Sequence, residues 1–417
     1  MRGDGKMRWF LLFLLLVSIG FPLTLDEAVK IALKNVTDLK ISRYELRKLD
    51  YEIKKALSGI LPKLTASYSY SRLDDSLVYG FGLRDRQNYS VTLSQTVFNK
   101  AVFDSIDLAR SQKKLQNLIL EDIKREVIYR VKDMYYAILY KETVLELKEE
   151  NLKYWKEYLK TVEEKYKAGI LPKVEYVRAK AQFESAEAEL AKAKADYQKS
   201  LENFKAFLKL KNLPRLTGRL KVNLNKDFSE ERLIKLLEEN NSTLKVAKAK
   251  VEVAERAYKL SKASYYPTLD AYLTYEGYTT RKSLFGGREW VKGYTFGISL
   301  NYKFFDGFAR EAEVSQRKLD VFIEKEKFKD TLFNVKRDLK NALLEIRSLK
   351  ERIKAVKMSL EAAKETLKLA TERYKEGVGT YLEVLDARKN YNETLDTLHF
   401  LTYRYMSTLA LIERLTR

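Results

Sequence analysis

Cysteine is absent from this 417-residue sequence, and histidine occurs only at position 399. Without a thiol, the chain can form no disulfide, thiolate metal site, cysteine nucleophile or lipid-modified cysteine. One imidazole cannot supply a multi-histidine metal cluster, so His399 is interpreted as a structural residue. No nucleophile–base set or phosphate-binding loop can be assembled from the remaining residues. The sequence therefore predicts a protein that is not an enzyme and holds no cofactor or metal.

Proline and glycine are scarce, with 5 and 16 residues, and neither occurs between positions 309 and 376. Within that stretch, apolar residues return every three or four positions from Leu332 to Tyr374. This repeat of 3.5 residues continues for six heptads and predicts a left-handed coiled coil. At about 1.5 Å per residue, such a helix is on the order of 100 Å long, which a soluble globular domain rarely needs.

Long hydrophobic runs are absent except near the start of the chain. Arg2, Lys6 and Arg8 precede an apolar run over 9–19, and small residues follow it. The run is too short to span a bilayer, and the pattern predicts a secretory signal peptide over residues 1–20. The net charge of +21 would suit a nucleic-acid-binding protein. Because the signal peptide directs export, we expect no nucleic-acid partner.

The mature sequence divides into two similar halves. Pro62 recurs as Pro267 and Gly169 recurs as Gly377, at offsets of about 205 to 208 residues. We therefore expect a first repeat over 21–211, a linker over 212–228 and a second repeat over 229–417. Each repeat is predicted to contain short helices, two strands and a long helical hairpin. The strands are expected at about 64–73, 88–98, 268–278 and 293–304, and the hairpins at about 101–209 and 307–414.

The predicted strands alternate apolar or aromatic residues with small polar ones, which is typical of a transmembrane barrel wall. Four strands cannot close a barrel, and open edges are not viable in lipid, so closure requires several chains. The densely charged helices must then lie in water. Six tyrosines are candidates for an interfacial girdle: Tyr68, Tyr70, Tyr89, Tyr275, Tyr294 and Tyr302.

Several motifs together resemble the TolC-type outer-membrane efflux proteins. They are Leu61-Pro62 and Tyr266-Pro267 before the strands, and the segments Gly377–Thr380 and Leu382–Ala387 after the long helix. The resemblance covers the whole mature chain. It implies a mainly α-helical fold with a membrane β-barrel, assembled as a homotrimer with 12 strands in the outer membrane and an α-helical tunnel in the periplasm.

The same resemblance implies function and partners. The chain would be the passive exit duct of a tripartite efflux or type I secretion system, working with a periplasmic adaptor (membrane fusion) protein and an inner-membrane transporter. The alternative is a periplasmic coiled-coil adaptor or structural protein. An adaptor would carry one hairpin flanked by glycine-rich β domains, whereas this sequence has two hairpins that alternate with paired strands.

Glu383 and Asp386 are the candidate constriction residues, since the resemblance implies that acids here line the tunnel entrance. Three-fold symmetry would form rings of like charge that select cations. Glu383 has an alternative role, because Thr380 and Glu383 have the spacing of a capping box. Asp386 has no such alternative, and Arg178 occupies its position in the first repeat.

Two glycines, Gly169 and Gly377, are expected to end helices, and they mark hairpin tips at which an adaptor would dock. Gly379 and Thr380 belong to the second tip. Three basic residues, Arg373, Lys375 and Arg388, are candidates to compensate the acids.

Overall fold

The computed structural model describes residues 22–78, 82–224, 228–283 and 286–417. The predicted signal peptide over 1–20 lies outside these residues. Within the described ranges, no helix combines the length and the apolar character needed to cross a membrane. The fold is mainly α-helical with one antiparallel sheet, as the sequence predicts.

The described residues form helices and strands in the same order in each half of the chain. The elements are α1 (Leu25–Asn35), α2 (Thr37–Leu57), β1 (Lys63–Arg72), β2 (Asp85–Asn99), α3 (Lys100–Lys167), α4 (Lys173–Leu208), α5 (Glu230–Asn240), α6 (Ser242–Ser261), β3 (Thr268–Ser283), β4 (Gly286–Asn301), α7 (Ala309–Lys375) and α8 (Tyr381–Thr416).

The chain divides into two compact units, each drawn from both halves of the sequence. The sheet unit comprises Ser42–Leu120 and Thr243–Leu332. The helical unit comprises the residues up to Ile41 together with Glu121–Ser242 and Phe333–Arg417.

In the sheet unit, the strands pair in the order β1-β2-β3-β4, all antiparallel. The predicted strand at 293–304 is wrong at both ends, because β4 runs from Gly286 to Asn301. Residues 286–292 lack a regular alternation of apolar and polar residues, but pairing with β3 continues as far as Gly286, which lies opposite Ser283. Beyond Asn301, left-handed backbone at Gly307 and Phe308 leads into α7. Tyr302 therefore follows the strand.

The register gives the sheet one apolar and one polar face. On the apolar face, each row across the four strands has a distinct character. The rows are Leu64–Leu93–Leu273–Phe296, then Ala66–Val91–Tyr275–Tyr294, then Tyr68–Tyr89–Gly277–Lys292. The opposite face carries rows such as Thr65–Thr92–Thr274–Thr295. The apolar face is exposed, with Tyr294 at 78% and Leu64 at 72%, which a sheet in water would avoid.

Buried charge joins the helices of the sheet unit. The Asp104 carboxylate on α3 is 2% exposed and accepts from Lys100 Nζ at 2.8 Å and from Lys259 Nζ of α6 at 3.1 Å. A buried carboxylate is tolerated only when it is paired in this way, so the two lysines are required by Asp104.

In the helical unit, an asparagine amide satisfies the end of the last helix of each half. Asn35 Nδ2 donates to the Leu208 carbonyl at 3.3 Å, and Asn241 Nδ2 donates to the Leu415 carbonyl at 2.9 Å. Carbonyls in the last turn of a helix have no partner within the helix, so these bonds fix the ends of α4 and α8. At the start of α1, Thr24 and Glu27 form a capping box.

The heptad repeat of α7 places its apolar residues inside the helical unit. Leu339, Leu349 and Ile353 are at most 1% exposed, while the charged residues between them face outward. The packing along this stripe is therefore the main source of stability for a helix whose other surface is charged.

Replacing Leu349 with Asp should destabilise the protein by about 4 kcal/mol or more, because an unpaired carboxylate would be buried among apolar side chains. Thermal melting followed by circular dichroism measures the change. The control is Ser348→Asp, which adds the same charge at the exposed neighbouring position. Equal melting of the two variants would show that the stripe does not stabilise the helix.

Candidate constriction at the helix–helix turns

Both long hairpins turn through a glycine in the left-handed region. α7 ends at Lys375, and Gly377 has φ of 76°. The N–H groups of Val378 and Gly379 donate to the Arg373 carbonyl at 3.0 and 3.1 Å. These bonds satisfy the carbonyl ends of the helix, and glycine adopts this conformation without strain. The turn therefore confirms Gly377 as the residue that ends the helix.

Gly379 is required for a different reason. Its backbone passes so close to α7 that an added Cβ would lie 2.9 Å from Arg373 Cβ and 3.2 Å from the backbone carbon of Arg373. A side chain at this position would push the start of α8 away from the end of α7. The turn 376–380 thus needs Gly377 for its left-handed backbone conformation and Gly379 because no side chain fits there.

The first hairpin makes the same kind of turn. α3 ends at Lys167, Gly169 has φ of 73°, and the Ile170 N–H donates to the Lys165 carbonyl at 2.9 Å. Pro172 caps α4, whose first helical residue is Lys173. Both turns also present exposed apolar side chains, with Ile170 at 69% and Val378 at 67%.

Glu383 acts as a helix cap in this structure. The Thr380 Oγ1 accepts from the Glu383 N–H at 3.3 Å, and Glu383 Oε1 accepts from the Thr380 N–H at 3.4 Å. Its other oxygen, Oε2, lies 3.8 Å from Arg373 Nη1. The capping alternative from the sequence is therefore present, and Arg373 is its basic neighbour.

Asp386 differs from Glu383. It is exposed, and no ion pair to it is formed among the described residues. Both acids line one groove of about 640 Å³ between α7 and α8, together with Arg373 and Asn390. Asp386 is thus the acid whose charge is left uncompensated within one chain.

Arg388 does not compensate these acids. Its guanidinium lies over the ring of Tyr154 on α3, with Cζ 3.3 Å from the ring centroid. Burial lowers the pKa of the Arg388 guanidinium, and the nearby Tyr154 opposes that shift. A cation–π contact of this kind joins the two hairpins.

A tyrosine cluster beside Arg388 was missed by the sequence reasoning. The rings of Tyr158 and Tyr381 stack with centroids 4.0 Å apart, and Tyr374 lies 6.0 Å from Tyr381. Burial raises the pKa of the Tyr158 and Tyr381 phenols, so both stay neutral. The sequence does contain one signal, because the spacing of Tyr154 and Tyr158 by four positions puts them on a common helix face.

Comparison with known proteins agrees with this architecture. The model of the outer membrane efflux protein family matches residues 28–208 and 233–416. No curated protein matches the sequence. The chain belongs to the outer membrane efflux protein family.

Solved structures of bacterial channels share the fold. The CmeC outer membrane channel of Campylobacter jejuni has a TM-score of 0.81 at 17% identity, covering 94% of this chain and 85% of that chain. The open state of the MtrE channel of Neisseria gonorrhoeae has a TM-score of 0.79 at 19% identity, covering 94% and 88%. VceC of Vibrio cholerae has a TM-score of 0.77 at 18% identity, covering 94% and 96%.

Family membership gives the function in outline. The chain is an outer-membrane exit duct of an efflux system, which excludes the alternative of a coiled-coil adaptor. Members of this family are channels that work with adaptor proteins and inner-membrane transporters.

Replacing Thr380 with Ala should weaken the first turn of α8 by about 1 kcal/mol, because the capping oxygen is lost. Hydrogen exchange of the α8 N-terminal amides should become faster, whereas Thr380→Ser should restore protection. Thr397→Ala, in the middle of the same helix, is the control and should change little. If hydrogen exchange of these amides were the same in Thr380→Ala and in the parent, the cap would not stabilise the first turn of α8.

Proposed function

We propose that three copies of the chain join their sheets into a 12-stranded barrel in the outer membrane, with the helices in the periplasm. The observation that carries the proposal is the pair of sheet edges. Within the described residues, β1 pairs only with β2, and β4 pairs only with β3. Unpaired backbone groups cost several kcal/mol each in lipid, and pairing β4 with β1 of the next copy removes both edges.

The two faces of the sheet support the same assembly. The exposed apolar rows suit contact with acyl chains, and the threonine and serine rows suit a wet lumen. Side-chain hydrogen bonds already link the polar face, with Thr92 and Thr274 hydroxyls 2.9 Å apart and Ser67 and Ser90 hydroxyls 2.8 Å apart. The duct would be a passive conduit from the periplasm to the exterior.

We also propose two repeats, over 21–211 and 229–417, joined by a linker over 212–228. The paired asparagine bonds at the ends of α4 and α8 support this organisation. Leu216 in the linker forms a parallel bridge with Leu23, so the linker is packed against the start of the first repeat.

A periplasmic adaptor is proposed to dock at the turns that contain Gly169 and Gly377 to Thr380. Exposed apolar side chains at both turns would be covered by such a partner, among them Ile170, Val174 and Leu382. An inner-membrane transporter of a tripartite efflux or type I secretion system would then be coupled through the adaptor.

The constriction is assigned to Asp386, with Glu383 as a cap that also faces the groove. In a trimer, three Asp386 carboxylates would approach one axis and attract cations, because no ion pair to Asp386 is formed among the described residues. Opening would separate the carboxylates and weaken this ring.

The protein should be extracted only with detergent, as a trimer that resists mild denaturation. The reason is that four strands cannot close without partners. Light scattering with detergent correction measures the mass. A monodisperse monomer that conducts ions in bilayers would overturn the trimeric assembly.

Replacing Asp386 with Asn should lower cation selectivity and weaken block by divalent cations in planar bilayers, because the ring charge is lost. Asp386→Glu is the matched control and should preserve both. Glu383→Gln should change selectivity less, since that carboxylate is engaged as a cap. Identical selectivity of the parent and Asp386→Asn would remove Asp386 from the lumen.

A further inference from the structure

On the apolar face, the last row to which all four strands contribute a residue is charged. Arg72 of β1 lies directly opposite Asp85 of β2, and Arg281 of β3 lies directly opposite Arg288 of β4. Arg288 Nη2 lies 2.8 Å from Asp85 Oδ2, and this ion pair joins the β3–β4 hairpin to the β1–β2 hairpin. These four residues form what we call the cationic row.

The row has more positive than negative charge. Asp85 is shared between Arg288 and Arg72, whose Nε lies 3.9 Å from Asp85 Oδ1. No carboxylate partner of Arg281 occurs among the described residues. Like charges directly opposite each other destabilise a strand pair. Asp85 offsets the charge of Arg288, but no described carboxylate offsets that of Arg281.

The position of the row in the sheet identifies the kind of anion. Moving along the strands on the same face, leucines give way to tyrosines, and tyrosines give way to the cationic row. Lys292 shares a row with Tyr68 and Tyr89, one step nearer the apolar rows than Trp290. Aromatic rings sit at the level of lipid headgroups, and basic side chains beyond them reach the headgroup phosphates.

We propose that the cationic row, with Lys292, binds the phosphate groups of anionic lipid headgroups around the barrel. The proposal rests on the proposed membrane assembly, in which this face meets lipid. Arg281 and Lys292 are the residues that carry it, since neither is committed to an ion pair among the described residues. The ion pairs of Asp85 with Arg72 and Arg288 join the two β-hairpins and so fix the distance between the strands at this site.

The opposite face provides a matched control. Arg86 is paired with Ser71 and Lys282 lies next to Arg281 in β3, so both project from the polar face. The pair of Arg86 and Lys282 on the polar face therefore matches the pair of Arg281 and Lys292 at the same end of the strands. Neutralising either pair changes the net charge equally, and only the pair on the apolar face would meet lipid.

The experiment compares two double variants. The first carries Arg281→Gln and Lys292→Gln, and the control carries Arg86→Gln and Lys282→Gln. The full-length protein is reconstituted into vesicles of equal parts phosphatidylglycerol and phosphatidylcholine and then re-extracted in mild detergent. The ratio of the two lipids that remain bound is measured. The parent and the control should retain an excess of phosphatidylglycerol, and the first variant should lose it, by about fivefold for each basic residue removed.

Equal retention by the parent and both variants would overturn the inference, as would equal loss in both variants. Arg281→Lys with Lys292→Arg keeps the charges and should keep the bound lipid. For the parent alone, the excess of phosphatidylglycerol should fall as the salt concentration is raised. An excess that does not change with salt concentration would also overturn the inference.

Conductance in planar bilayers separates this inference from the proposed function. If the parent does not enter bilayers or conduct, the proposed membrane assembly fails. If the parent and all variants conduct alike while the bound lipid is unchanged, the assembly stands and only the headgroup site is lost.

Discussion

The unpaired edges of a four-stranded sheet are the constraint on which the rest of this protein depends. A strand edge in lipid exposes N–H and C=O groups that have no water to bind. Within the described residues, β1 and β4 are the edges of the sheet. In the proposed membrane assembly they would be such edges, so the need for a partner chain would follow from backbone chemistry before any side chain is considered.

The helices meet a different requirement, because one face of each has to contact water while the other packs against neighbouring helices. The heptad repeat supplies a narrow apolar stripe, and lysine and glutamate cover the remaining surface. At the turns, where the stripe ends, the structure uses local devices instead: glycine conformation, a capping box, and stacked tyrosines with Arg388. Such contacts are more easily rearranged than a packed core, which is consistent with the proposal that the duct opens at these turns.

The sequence predicted the fold class and the order of elements because both depend on periodicity. The 3.5-residue repeat and the two-residue alternation are visible without a structure, as is the capping box of Thr380 and Glu383. The extent of β4 could not be predicted because residues 286–292 carry no regular apolar alternation, although strand pairing continues through Gly286. The stacking of Tyr158 on Tyr381 joins residues more than 200 positions apart, and no local pattern could reveal it.

The two acids of the candidate constriction illustrate how far residue type alone can lead. Glu383 and Asp386 lie three positions apart on one helix face and line one groove. Nevertheless, hydrogen bonds to Thr380 and the nearby Arg373 engage Glu383, whereas Asp386 faces the groove without a partner among the described residues. A nearby cation such as Arg373 offsets part of the charge that Glu383 would add to a symmetric ring, whereas no such cation is paired with Asp386 among the described residues. The difference between the two carboxylates is therefore set by their neighbours, and it is the reason for proposing Asp386, in preference to Glu383, as the constriction residue.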